Sequence, residues 1–231
     1  MNLFSFVKRF FMYFSCKNKL PKTIIVIFPG FGFSPKDYDD ILPKKTAKIY
    51  IDIWTEDELN NIKKSSLENK QNYEEWMEQI VSRSKDILFL ELKKYDHVLP
   101  KTIYFTHSIG SVIGERLKSY ADIIISYGGV IEPSHIKTLN LLGTEDKIAT
   151  MKYDIWPKNA KPILNANHFS CVSFESKNLT NKWVKEMKYS QTVEKNNYND
   201  KRLLIKSEIE TFINFNIIKK GCKIKIFKTN I

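Results

Sequence analysis

Residues 23–28 read Thr-Ile-Ile-Val-Ile-Phe, an apolar run bounded by Pro21 and by Pro29-Gly30. A run without polar alternation predicts a strand covered on both faces. Residues 48–54 predict a second strand, with Ile49, Ile51 and Ile53 alternating against Tyr50 and Asp52. Between them, residues 31–38 predict a loop, followed by a short helix-like segment to Leu42. Tyr73, Trp76, Met77, Ile80, Ile87, Leu88 and Leu92 recur at helical spacing within residues 69–94. Residues 102–105 predict the third strand and residues 109–118 the helix after it. Residues 122–127 predict the fourth strand, 138–142 the fifth (ending in Gly143), and 162–164 a short sixth.

Strands alternating with helices predict an α/β fold, a mostly parallel central sheet flanked by helices on both faces. Such sheets bind and react at the carboxyl ends of their strands. The connection from Tyr127 to Lys137 carries Gly128-Gly129 and Pro133 and is too short for a cap domain. Residues 191–201, polar and rich in asparagine, read as a linker. Leu203, Leu204, Ile209, Phe212, Ile213 and Ile217 predict a C-terminal helix that Gly221 ends. Ile224 and Ile226 then alternate with lysines, as an edge strand or a tail does. The organisation is thus an N-terminal segment (1–20), a core (21–190) and a C-terminal region (191–231).

Composition narrows the function classes. The 231 residues are 42% hydrophobic, enough to build a core, and carry a formal charge of +11 with a pI near 9.3. A basic balance raises nucleic acid as a partner. The lysines are scattered, however, and no zinc-ligand spacing, stacking motif or recognition helix accompanies them, so nucleic-acid binding is set aside as the weakest of three readings. Cys16, Cys171 and Cys222 are far apart and odd in number, which fits a reducing, cytoplasmic setting. No stretch reaches the roughly 18–20 apolar residues of a membrane span. Residues 3–14, Leu-Phe-Ser-Phe-Val-Lys-Arg-Phe-Phe-Met-Tyr-Phe, are strongly aromatic. Lys8 and Arg9 interrupt the run and no cleavage site follows, which argues against a signal peptide. The segment reads equally as a peripheral membrane contact or as a helix packed on the core.

The candidate chemistry centres on Thr102-Ile103-Tyr104-Phe105-Thr106-His107-Ser108-Ile109-Gly110-Ser111. A buried strand meets a tight turn at Ser108 and a helix starts at once. Ser108 is therefore either a nucleophile or a helix-capping serine. A serine alcohol is a weak nucleophile and needs a base, in practice a histidine steadied by a carboxylate. His107 adjoins the serine and is expected to point away from it. His97 lies before the strand, at the wrong end of the sheet, and His135 has no acid obviously paired with it. His168 follows the last strand, in Asn165-Ala166-Asn167-His168-Phe169, and is the preferred base. Asp146, just past the fifth strand, is the preferred acid. Glu145 is the fallback, Asp122 and Asp154 fit less well, and a solvated turn acid is the plain alternative. Donors for an oxyanion are expected from the amide of Ile109 and from the Pro29-Gly30-Phe31-Gly32 loop, with Phe31 first and Gly30 next.

The order Ser108, Asp146, His168, with the upstream Pro-Gly-Phe-Gly loop, resembles the α/β-hydrolase superfamily, whose triad runs serine, acid, histidine along the chain. Gly143 to Asp146 looks like that family's acid turn, and Asn167-His168-Phe169 like its histidine loop. The resemblance covers roughly residues 23–187 and departs from the family at three places. Thr106 stands where the elbow usually has glycine, which predicts that the turn opens or tilts. Phe28-Pro29-Gly30 replaces a His-Gly start of the oxyanion loop. The acid-to-histidine spacing is a compact 22 positions. The resemblance implies a serine hydrolase without a cap domain or a cofactor, acting on a carboxylic ester or thioester, with a lipid-like ester among the substrates. Gly30, Gly32, Phe33 and Phe169, with Phe31 and Tyr38, would line the substrate site; ordinary loop packing is the alternative for the aromatics. The competing functional reading is an inactive relative that binds a partner or a membrane.

Overall fold

A computed structural model describes residues 21–61, 70–95, 100–150, 155–176 and 195–218. The aromatic-basic N-terminal segment, His97, Asp154, Cys16, Cys222, Gly221, Ile224, Ile226 and residues 191–194 lie outside the described residues. The elements in chain order are β1 (Thr23–Phe28), β2 (Ala47–Tyr50), α1 (Glu56–Asn61), α2 (Lys70–Leu92), β3 (Lys101–His107), α3 (Ile109–Arg116), β4 (Ile123–Tyr127), β5 (Lys137–Gly143), α4 (Lys147–Thr150), β6 (Ala160–Ile163) and α5 (Lys195–Ile218).

Six strands form one sheet in the order β2-β1-β3-β4-β5-β6. Every neighbouring pair is parallel. The protein is thus an α/β fold with a six-stranded parallel sheet and flanking helices. From β1 the chain moves outward to β2, then crosses back over β1 to β3 and continues in the other direction. The crossover reversal opens a crevice between the carboxyl ends of β1 and β3, where such sheets place their ligands.

Period-two alternation divides the strand residues between two cores. Ile25, Ile27, Ile103, Phe105, Ile125 and Tyr127 pack with Ile205, Ile209 and Ile213 of α5. Ile24, Val26, Phe28, Tyr104 and Ile124 pack with Met77, Ile80 and Leu88 of α2 and with Ile113 of α3. Burial of both faces explains the lack of polar alternation in β1. Truncating one of these isoleucines to alanine costs about 2–5 kcal/mol.

Several boundaries differ from the sequence expectation for physical reasons. The second strand stops at Tyr50 rather than Trp54, because β1, its only partner among the described residues, ends before Pro29. Ile51 donates one more bond to Ile27 O at 3.2 Å, and the chain then leaves the sheet. The third strand runs on to His107, which pairs with Tyr127. The helix after Ser108 ends at Arg116, and Lys118–Tyr120 forms a separate 3-10 turn. The sixth strand is shifted toward Ala160, and Leu164 is 67% exposed. The expected linker is a correction: from Lys195 it is the first turns of α5. Tyr198, 3% exposed, anchors that helix by donating its hydroxyl to Phe169 O at 2.6 Å and to Val172 O. Arg202 adds bonds to Asp40 and Val172 O. Among the described residues no helix is long and apolar enough to cross a membrane.

Candidate active site

Ser108 sits at the tip of β3, in the crevice position, with φ 54° and ψ −123°. A non-glycine residue in this region stores about 1–3 kcal/mol of strain. The surroundings impose it. Ser108 N–H donates to Tyr127 O at 3.0 Å, and Ser111 N–H donates to Ser108 O at 2.9 Å. Gly110 lets α3 start tight against the end of β1. A methyl group there would come within 2.3 Å of Phe28 O and 2.8 Å of Pro29 O. The Ser108 side chain makes no capping bond to its helix. The capping reading of this serine is thereby removed.

Its hydroxyl instead lies 2.8 Å from His168 Nε2. On the other side of the ring, Nδ1 lies 2.8 and 3.0 Å from the two carboxylate oxygens of Asp146. A carboxylate only accepts, so Nδ1 carries the proton and Nε2 is left to accept from Ser108. Asp146 is 0% exposed, and its Oδ1 also accepts from Ala149 N–H at 2.8 Å. The carboxylate is therefore held from two directions.

Glycines and backbone bonds bring these loops together. Gly143 closes β5 where a side chain would strike Ala166 O at 2.2 Å. The acid turn and the histidine loop are joined there by Glu145 N–H to Ala166 O at 2.9 Å and Thr144 N–H to Ile163 O at 3.0 Å. Asn165 N–H adds a bond to Thr144 Oγ1 at 2.8 Å. Gly128, with φ +64°, leaves open the space against His168 and Asp146. Tyr127 donates its hydroxyl to Asn167 O at 2.7 Å, one residue before the histidine.

The other candidates fall elsewhere. Glu145 and His135 are exposed, and Asp122 accepts from Thr102 N–H at 2.8 Å, at the amino end of the sheet. Gly30 needs a correction. Its amide, the second choice for an oxyanion donor, donates instead to the Tyr38 hydroxyl oxygen at 3.0 Å. Phe33 N–H closes a turn on Gly30 O at 3.1 Å, and Gly32 takes φ 76° within it. Such a turn asks for glycine at its third position. Phe31 sits at its corner, half-buried, with its ring 5.2 Å from Trp54 and 6.5 Å from Trp76. Ile109 is the first residue of α3, where helix amides lack intrahelical partners. Phe33 and Phe169 are both 2% exposed and meet the histidine rings tilted and edge-on respectively. Phe33 lies 5.9 Å from His107 and Phe169 lies 5.5 Å from His168.

Thr106 is accommodated by the helix. Its methyl fills the space over Gly114, where a side chain would approach it to 2.6 Å. Its Oγ1 is 3.2 Å from Ser111 Oγ, which is 2.7 Å from Ser126 Oγ. Ser126 in turn donates to Gly129 O at 2.8 Å. This hydroxyl chain lies under the elbow and was missed in the sequence, as was the role of Gly128. The Gly128-Gly129 pair after β4 was the available signal. His107 was missed too. It is fully buried, and burial, reinforced by the nearby His168, holds its pKa well below the usual histidine value.

No family model matches this chain, and no curated protein matches it significantly.

Proposed function

We propose that this protein is a serine hydrolase of the α/β-hydrolase kind that cleaves a carboxylic ester or thioester through an acyl-enzyme on Ser108. The supporting observation is the continuous path from the Asp146 carboxylate through His168 to the Ser108 hydroxyl, with both hydrogen bonds at 2.8 Å. The strained, non-capping serine at the crevice end of a parallel sheet points the same way.

In this mechanism His168 Nε2 takes the Ser108 proton as Oγ bonds to the substrate carbonyl carbon. Asp146 holds the imidazolium that forms. The amides of Phe31 and Ile109 receive the oxyanion. Collapse breaks the C–O or C–S bond, and His168 gives its proton to the departing alcohol or thiol. Water, deprotonated by His168, then attacks the acyl-enzyme. The acid leaves, and Ser108 recovers its proton. Stabilising the oxyanion supplies about 3–4 kcal/mol per donor in such sites. A lipid-like ester in the cytoplasm, met at a membrane surface through residues 3–14, is the substrate setting within this proposal.

Labelling with a fluorophosphonate tests the reading. Wild-type protein is expected to take one label, and Ser108→Ala none. A folded wild-type sample that takes no label would leave the partner-binding module as the better account.

A further inference from the structure

The His107 ring bonds to Tyr38 and to the His168 backbone rather than to the Ser108 hydroxyl, yet it is built into the site. Its ring is buried on the α5 side of the sheet, 4.9 Å from the His168 ring and 5.6 Å from that of Tyr38. Nε2 lies 2.9 Å from the backbone oxygen of His168, and Nδ1 lies 2.8 Å from the Tyr38 hydroxyl. That hydroxyl also meets Gly30 N–H at 3.0 Å.

The two ends of this chain fix every proton in it. A backbone carbonyl only accepts, so His107 Nε2 carries a hydrogen. A backbone amide only donates, so the Tyr38 hydroxyl oxygen accepts from Gly30. The neutral imidazole then has Nδ1 as its acceptor, and Tyr38 donates to it. The path runs Gly30 N–H to Tyr38 O–H to His107 Nδ1, and His107 Nε2–H to His168 C=O. It begins one residue before Phe31 and ends on the peptide of His168. Gly30 also clears the way for the ring, since a side chain there would lie 2.5 Å from His107 Nδ1.

We propose that His107 is a positioning residue: with Tyr38 it ties the loop after β1 to the backbone of His168, fixing the oxyanion donor and the base in one register. The inference rests on the hydrolase reading. The Asp146 bonds steady the His168 ring, but a ring can pivot about its own backbone. The His107 bond fixes that backbone, and it does so from the loop that carries the other half of the machinery. Misplacing a reacting group by about 1 Å costs roughly 100-fold in rate. A neutral His107 also adds no second positive charge beside the imidazolium that His168 becomes.

Two substitutions separate the ends of the path. His107→Gln places an amide donor near the Nε2 position, and His107→Asn places its amide near Nδ1. Rates of Ser108 labelling by a fluorophosphonate and kcat and KM for p-nitrophenyl acetate are measured for wild type, both variants and Tyr38→Phe, alongside Tm. The expected result is a fall in kcat of about 10- to 100-fold for His107→Asn with KM nearly constant, and a smaller fall, about three- to tenfold, for His107→Gln, which keeps the bond to His168 O and loses the one to Tyr38. Tyr38→Phe, which breaks the same link, is expected to match His107→Gln. Equal losses in Gln and Asn that follow Tm, or wild-type rates in both, would overturn the proposal. Wild type that takes no label marks failure of the hydrolase reading instead. The path is then tested without activity, by nitrogen NMR of the His107 side chain in wild-type protein at pH 7. A neutral ring protonated at Nε2 supports it; one protonated at Nδ1, or a charged ring, overturns it.

Discussion

Replacing Gly128 by alanine would put a methyl group against the His168–Asp146 pair. The new carbon would sit 3.0 Å from His168 Cε1 and Nδ1 and 3.3 Å from Asp146 Oδ2. Ordinary carbon contacts lie nearer 3.5–4.0 Å, so the ring must retreat by about 0.5 Å. The backbone at φ +64° adds a left-handed penalty of about 1–2 kcal/mol for any residue with a Cβ. A domain stable by about 5–15 kcal/mol stays folded under that load. The ring displacement falls on the His168–Asp146 hydrogen bonds, so catalysis suffers more than folding does. The expected outcome is a Tm lowered by a few degrees and kcat for p-nitrophenyl acetate reduced by about 10- to 100-fold. Urea unfolding and steady-state kinetics on the same preparation separate the two effects. Gly128→Ala with full kcat would refute the reasoning, since the ring would then have no need of that space.

Other outcomes follow from the same geometry. Asp146→Asn is expected to lower kcat by about 10⁴-fold, because the ring tautomer is lost, whereas Glu145→Gln on the exposed neighbour leaves it within twofold or so in the same esterase assay. His107 gives a pH dependence to stability. Its folded pKa is depressed by burial, so below about pH 6.5 the unfolded chain binds a proton that the folded chain refuses, and stability is lost as pH falls. The difference between wild type and His107→Gln in urea unfolding from pH 7 to 5 isolates this slope, about 1.4 kcal/mol per pH unit at most; parallel curves would contradict it. Tyr198→Phe removes the hydroxyl that serves Phe169 O and Val172 O, and is expected to cost about 1–3 kcal/mol in the same unfolding experiment.

The chain itself announced the strands most clearly where burial is two-sided. The uninterrupted run at Thr23–Phe28 has one interpretation, and its flanking Pro29 stops both it and the strand beside it. The convergence of Ser108, Asp146 and His168 was legible because parallel topology puts the ends of β3, β5 and β6 on one rim, and each residue lies in the loop or turn just past its strand. What escaped was long-range. Gly30 looked like a donor because the Tyr38 hydroxyl that occupies its amide is eight residues away across a turn. His107 looked incidental because its partners, Tyr38 and the His168 carbonyl, are separated from it by 69 and 61 positions. Residues 195–201 looked like a linker because their asparagines outnumber their apolar groups. A single buried Tyr198 with two carbonyl partners decides the helix.

Intact-mass spectrometry after rapid mixing with a p-nitrophenyl ester tests the central claim most directly. The account predicts a transient mass increase equal to one acyl group, mapped by peptide digestion to Ser108 and lost in Ser108→Ala. An unmodified Ser108 alongside full ester turnover, or an acyl group carried by a different side chain, would contradict it.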